Sequence, residues 1–184
     1  MQAIRLGFTS VMFDGSTLSY EENVRQTREV VKMCHAIGVS VEAELGAVGG
    51  DEGGALFGEA DSNKFTDPAL AAEFVQSTGI DCLAVAIGNA HGKYKGEPKL
   101  DFDRLAAIRA AAGIPLVLHG GSGISDADFR HAISLGIHKI NFYTGMSQAA
   151  LGAIEKQITQ RDARYDAFAE LLMAVEQDIA NVVA

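Results

Sequence analysis

The stretch Pro115-Leu-Val-Leu-His119-Gly-Gly-Ser-Gly123 joins a short apolar run to a histidine and then to a glycine-rich turn. An apolar run of this length, ended by a polar residue and glycines, has the form of a buried strand that delivers a functional side chain at its C-terminal end. The segments around it repeat the form. Strands are expected at Ser10–Phe13, Val39–Leu45, Cys82–Ile87, Leu116–Leu118 and Lys139–Asn141. Helical periodicity falls at Glu22–Ile37, Pro68–Thr78, Phe102–Ala111 and Asp126–Ser134, and from Met146 onward in two helices that part near Arg161–Asp162. Strands alternating with helices give βα units on a parallel sheet. Five such units fit either an open doubly wound sheet or part of a (β/α)8 barrel. The polar residues decide between them, because Asp14, Glu44, His91, His119 and Asn141 stand at or just beyond the ends of five successive strands. Barrels distribute their chemistry over every strand end, whereas open sheets gather it at one switch point. The expected fold is therefore an incomplete TIM barrel of about five C-terminal βα units, with residues 1–184 as a single domain.

Composition narrows the function. The chain has 184 residues, 48% of them hydrophobic, and a formal charge of −9 without a Lys/Arg cluster, so a nucleic-acid partner is not expected. Cys34 and Cys82 are far apart and outside any C-x-x-C pattern, which suits small buried residues in a reducing compartment. No apolar run reaches the length of a membrane span, and the first residues lack the apolar core of a signal peptide. A cytoplasmic protein without a membrane partner is the expectation.

His91, in Ala86-Ile-Gly-Asn-Ala-His91-Gly92, follows a buried strand. Alone it reads more readily as a surface or satisfied core histidine than as a metal ligand. With His119 leaving the neighbouring strand, two imidazoles would face one bowl, an arrangement suited to zinc but one ligand short of a catalytic site. Glu44 could supply a carboxylate ligand, and Glu42, on the same face, could support it. Alternatively the two glutamates form ion pairs inside the barrel. His35, His131 and His138 fall on helices or on the turn before a strand and read as polar surface.

Gly120-Gly121-Ser122-Gly123 presents backbone N–H groups and a hydroxyl that suit a phosphate dianion, and Asn141-Phe142-Tyr143-Thr144 offers a second half-site beside it. Helix capping by Ser122 and Thr144 is compatible with either role. The loop Gly49-Gly-Asp-Glu52-Gly-Gly54 carries paired carboxylates between glycines. By itself it reads first as a solvated acidic loop, and only its neighbourhood promotes it to a closing loop that bears an acid or base.

Together these segments, in the order Gly7–Ser16, Val41–Gly46, Gly49–Glu52, Ala86–Gly92, Leu118–Gly123 and Lys139–Asn141, resemble class II ketose-bisphosphate aldolases, in particular the tagatose-bisphosphate and fructose-bisphosphate branch. The resemblance implies a zinc-dependent lyase that cleaves a ketose 1,6-bisphosphate to dihydroxyacetone phosphate and an aldehyde such as glyceraldehyde 3-phosphate. It implies that His91 and His119 are two of three zinc histidines, and that Gly92, Gly120, Gly121, Ser122, Asn141, Phe142, Tyr143 and Thr144 contact dihydroxyacetone phosphate. Glu52 corresponds to the loop carboxylate that moves a proton. The family's catalytic Asp and remaining zinc His lie on strands before the matched region, so about three βα units of the barrel are absent. Without them the chain could instead be a catalytically incomplete sugar-phosphate-binding remnant. Tyr143 stands where family members carry small or acidic residues, a divergence that bears on substrate preference. A barrel lacking strands exposes sheet edges, and a homo-oligomer is expected.

Overall fold

The computed structural model describes residues 2–50, 57–58, 61–159 and 168–184. Glu52 and the helix division near Arg161–Asp162 lie outside the described residues. The chain divides into two compact units, Met1–Asn141 and Phe142–Ala184.

In the first unit, the short helix α1 (Gln2–Arg5) leads to strand β1 (Ser10–Phe13), helix α2 (Tyr20–His35) and strand β2 (Ser40–Leu45). The two-residue strand β3 (Phe57–Gly58), helix α3 (Pro68–Thr78) and strand β4 (Cys82–Val85) follow. After these come β5 (Lys93–Tyr94), α4 (Phe102–Ala112), β6 (Leu116–Leu118), α5 (Asp126–Ser134) and β7 (Ile137–Ile140). The strands and helices expected from the sequence are present with their ends moved by a few residues. The small pair β3–β5 was not anticipated, since two-residue strands carry no periodicity.

The helices begin and end where local chemistry dictates. Asp67 accepts from the backbone N–H groups of Ala69 and Leu70 ahead of Pro68, whose missing N–H is harmless in a first turn. Ser19, Asp101 and Ser125 cap α2, α4 and α5 in the same way. Gly79 and Gly113 stop α3 and α4 with φ of 72° and 69°, a left-handed turn that glycine adopts without a Cβ clash.

β1, β2, β4, β6 and β7 form one sheet in that spatial order, every pair parallel. The order never reverses, so right-handed crossovers put all the intervening helices on one face, as in a barrel wall and unlike a doubly wound sheet. Strand alternation shows the two faces. Val41, Ala43 and Leu45 join Leu83, Val85, Leu116 and Leu118 in a core with Val31 and Cys34 of α2, Phe74 of α3 and Leu105 and Ile108 of α4. Glu42, Glu44 and Ala84 point to the opposite face, the one a closed barrel turns inward. The fold is an incomplete (β/α)8 barrel.

Pairing between β6 and β7 skips one residue. Leu116 faces Ile137 and Val117 faces Lys139, so His138 is the bulged residue. His138 thus sits within a strand, not on the turn before it, and the bulge brings Lys139 onto the inner face beside Val117. In the second unit, α6 (Thr144–Thr159) packs against α7 (Phe168–Val183). Among the described residues, no helix is long and apolar enough to cross a membrane.

Phe74 is fully buried, whereas Leu70 on the same helix is 43% exposed. Phe74→Ala is expected to lower unfolding stability by about 3–5 kcal/mol and Leu70→Ala by less than about 1 kcal/mol. Urea midpoints of the two variants check the difference, and equal losses would contradict this core.

Candidate metal and phosphate site

A side chain at the C-terminal end of an inward-facing strand is delivered to the rim of the sheet. β2 delivers two carboxylates there. Glu42 and Glu44 are each 2% exposed, and the small Ala84 lies opposite Glu44 in the neighbouring strand. Asn23 of α2 donates from Nδ2 to the Glu44 carbonyl at 3.0 Å and accepts from the Thr27 hydroxyl at 3.0 Å, which fixes the end of β2.

β6 delivers His119, 1% exposed. Its Nε2 lies 2.9 Å from Glu42 Oε1. A carboxylate only accepts, so Nε2 carries the hydrogen. Lys139 donates from Nζ to the other oxygen, Oε2, at 2.5 Å. Burial raises the Glu42 carboxyl, but the bonds from His119 and Lys139 outweigh it and hold Glu42 below the usual carboxylate range. Burial likewise disfavours the charged form of His119. The hydrogen bond to Glu42 and the proximity of Glu44 reverse that and lift its pKa to about 9. Of the two readings of the glutamates, Glu42 therefore makes an interior ion pair. What it supports is His119 rather than Glu44.

On the other side of the ring, His119 Nδ1 lies 3.2 Å from Glu44 Oε2 without the alignment of a hydrogen bond. Glu44 Oε1 accepts only a long bond from the Val48 N–H at 3.4 Å. His91 enters from the segment after β4, its backbone N–H bonded to the Gly49 carbonyl at 2.6 Å. The His91 and His119 rings are 5.7 Å apart between centroids and tilted by 38°. His91 Nε2, His119 Nδ1 and Glu44 Oε2 are all buried without a hydrogen-bond partner.

Orphaned buried polar atoms are costly, and the adjacent His119 Nδ1 and Glu44 Oε2, with the His91 ring beside them, ask for a common partner. Neighbouring donor atoms on a tetrahedral zinc ion, bound at about 2.0–2.1 Å, stand about 3.3 Å apart, and two imidazoles on one ion have centroids roughly 5 Å apart. The observed 3.2 Å and 5.7 Å are close to both. The residues thus fit a divalent ion, but incompletely. Among the described residues, no group of three or more His, Cys, Asp or Glu side chains is arranged to hold a metal.

The glycine-rich turn lies directly after His119. Gly120, with φ of 67°, passes so close to the Ala90 carbonyl that a Cβ would come within 2.1 Å of its oxygen. Gly121 donates its N–H to the Asn141 carbonyl at 3.0 Å, and Asn141 donates to the Leu118 carbonyl at 2.9 Å. The N–H of Gly121 is therefore already engaged, contrary to the expectation that the whole turn presents unhindered donors. Its use is to hold the β7 end beside the β6 end. Gly92, with φ of 83°, follows His91. Ser125, not Ser122, caps α5. Phe142, Tyr143 and Thr144 belong to the second unit. There Tyr143 is 57% exposed, Thr144 opens α6, and the Phe142 ring occupies the space a Cβ on Gly145 would need.

The remaining candidates make local contacts. Asp14 accepts from the Ser16 N–H at 2.9 Å. His35 pairs with Asp81 at 2.8 Å, His131 stacks on Phe102 at 4.2 Å, and His138 Nδ1 lies 2.7 Å from the Gly136 carbonyl.

Four residues that organise the site were not singled out from the sequence. Lys139 was placed on a strand but without a role. Asn89 donates to the carbonyls of Val85 at 3.2 Å and His119 at 3.1 Å and accepts from the Ile87 N–H at 2.8 Å. The Thr66 hydroxyl donates to the Leu45 carbonyl at 2.5 Å and accepts from the Ala86 N–H at 2.8 Å. Tyr94 bonds both histidine-bearing segments. Asn89, a polar residue inside an apolar run, left a signal that could have been read; Thr66 and Tyr94 left none.

A family model described as fructose-bisphosphate aldolase class-II matches residues 1–184. The Escherichia coli K12 protein YdjI is 51% identical over 155 residues, which are 84% of this chain and 55% of YdjI. The crystal structure of the YdjI aldolase superposes with a TM-score of 0.81 at 44% identity, covering 97% of this chain and 60% of that one. A Coccidioides immitis protein described as a candidate fructose-1,6-bisphosphate aldolase superposes with a TM-score of 0.80 at 34% identity, covering 95% of this chain and 60% of that one. The chain thus spans somewhat over half the length of these relatives.

The raised pKa of His119 has a definite sign. A folded pKa of about 9 against an unfolded value near 6.5 gives stability that is complete below about pH 6.5 and is lost as pH rises toward 9. The metal-free chain is expected to lose on the order of 1–3 kcal/mol of unfolding stability between pH 6 and pH 9.5. The loss should shrink in Glu42→Gln, which removes the charge that lifts the pKa. Urea unfolding across that range checks it, and a slope of the opposite sign would contradict the arrangement.

Proposed function

From the premise that the chain belongs to the class II fructose-bisphosphate aldolase family, we propose that the complete protein is a zinc-dependent aldolase. It cleaves a ketose 1,6-bisphosphate reversibly to dihydroxyacetone phosphate and an aldehyde such as glyceraldehyde 3-phosphate. The observation that carries this reading is the adjacent pair of imidazoles, His91 and His119, whose Nε2 and Nδ1 are buried without hydrogen-bond partners, with Glu44 Oε2 3.2 Å from the latter. His91 and His119 would hold the ion, with Glu44 beside them. A further ligand would come from the part of the family's length that this chain does not span. The chemistry such an ion supplies is polarisation of the substrate's ketone and stabilisation of the negative charge that develops on it.

The chain's own groups do the rest. Glu42, charge-balanced by Lys139, holds the hydrogen on His119 Nε2, so Nδ1, beside Glu44, is the nitrogen that would give up its proton to an ion. Gly92, Gly120, Ser122 and Asn141 would line the phosphate side, with Gly121 contributing through its lack of a side chain rather than through its engaged N–H. Phe142, Tyr143 and Thr144 are the further candidates for contact with dihydroxyacetone phosphate that the family resemblance names. Glu52, three residues beyond the Gly49 carbonyl that holds the His91 backbone, would move the proton at the carbon being cleaved.

One observation favours a second reading for the chain by itself. With no three-ligand metal group among the described residues, it would bind sugar phosphates without catalysing their cleavage.

In a protein of full family length carrying these residues, cleavage of fructose or tagatose 1,6-bisphosphate is expected to vanish with a chelator and return with zinc. His91→Ala and His119→Ala should each lower kcat/KM by roughly a thousandfold or more. A coupled assay for dihydroxyacetone phosphate reads this. Chelator-resistant cleavage, or full activity in either variant, would refute the zinc reading.

A further inference from the structure

The spacing of the two imidazoles rests on contacts between two backbone segments that the side chains of Asn89 and Tyr94 hold. His91 and His119 leave different strands, and their rings point at one another only if the segments Asn89–Gly92 and His119–Gly121 stay in register beyond the last pair of the β4–β6 ladder, Ala84 with Val117. Past that pair, side chains take over from the ladder. The Tyr94 hydroxyl accepts from the Ala90 N–H at 2.8 Å and donates to the Gly120 carbonyl at 2.9 Å. It therefore bonds the residue just before one histidine and the residue just after the other.

The bond to the Gly120 carbonyl needs the neutral phenol, and burial keeps it so. Desolvation raises the Tyr94 pKa, and the bond from Ala90 offsets only part of the rise. The ring packs against the core beside Gly123, where an added Cβ would come within 3.2 Å of Tyr94 Cδ2. Gly120 has no Cβ to obstruct the approach to Ala90 that the hydroxyl fastens. β5 pairs with β3 at Gly58–Tyr94, which holds the tyrosine from its other side.

We propose that Tyr94 is a positioning residue that sets the separation of His91 and His119, and through it the affinity and geometry of the divalent-ion site. The inference rests on the zinc reading for its consequence, but the separation of the rings can be measured without any ion.

Tyr94→Phe keeps the ring and removes only the hydroxyl. Cobalt(II) serves as the probe, titrated into this chain and followed by calorimetry and by its visible absorption. Relative to the unsubstituted chain, the Tyr94→Phe variant is expected to bind cobalt about tenfold more weakly, in line with the loss of other outer-shell partners. Its absorption band should shift in position and intensity, while its thermal midpoint changes by only a few degrees. Superimposable titrations and spectra in a folded variant would overturn the proposal. If the unsubstituted chain binds no cobalt, the ion needs the ligand that lies outside this chain. Tyr94 is then judged on the metal-free protein, where the nuclear Overhauser effect between the two imidazoles should weaken in Tyr94→Phe; an unchanged effect refutes its role. Should the variant not fold, hydrogen exchange at the Ala90 amide of the unsubstituted chain decides. Protection there supports the clamp, and its absence overturns it.

Discussion

The hydrogen bond from His119 Nε2 to the buried carboxylate of Glu42 is the interaction on which the site depends. A carboxylate on the inner face of a parallel sheet is strongly disfavoured unless it is paired. Here both oxygens are engaged, one by the imidazole and one by Lys139. Three strands, β2, β6 and β7, thus meet at one carboxylate. Removing Glu42 would leave Lys139 without its counter-ion and His119 without its orientation. Its stabilising effect and its orienting effect are the same contact seen from two sides.

Around that pair, backbone groups that have run past the ends of the ladders are satisfied by side chains. Thr66 takes the Leu45 carbonyl and the Ala86 N–H, Asn89 takes the Val85 and His119 carbonyls, and Asn23 takes the Glu44 carbonyl. This follows from burial, because unpaired backbone groups are scarce inside proteins. The backbone is closed off this thoroughly, yet three side-chain atoms, on His91, His119 and Glu44, are left open. With Tyr20 Oη, they are the buried side-chain atoms without a partner among the described residues, and together the two histidines and Glu44 mark the site more clearly than any histidine does alone.

Much of this was legible beforehand, for physical reasons. The runs at Leu116–Leu118 and Cys82–Ile87 are short, apolar and bounded by glycine, and a buried parallel strand has little other choice of sequence. Asp67-Pro68 and Gly79 mark the ends of α3 so strongly that the helix is found where expected. Polar residues recurring at strand ends separated a barrel wall from an open sheet, and the unreversed strand order agrees. What was not legible depends on contacts distant in sequence. Glu42 meets Lys139 97 positions away. Tyr94 sits in a two-residue strand with no period to read, and the β6–β7 bulge that turns Lys139 inward follows from pairing rather than composition. Nor does a glycine-rich turn say which of its N–H groups are already engaged. Gly121 resembles a phosphate donor until Asn141 is placed beside it.

The central claim is that His91 Nε2 and His119 Nδ1 face one ion. Anomalous diffraction at the zinc edge, from crystals of the full-length protein grown with zinc, tests it most directly. The account predicts a peak about 2.0–2.1 Å from both His91 Nε2 and His119 Nδ1, with the Glu42 bond to His119 Nε2 intact. A zinc peak bound to only one of the two rings, or to His119 through Nε2 with Glu42 displaced, would contradict it.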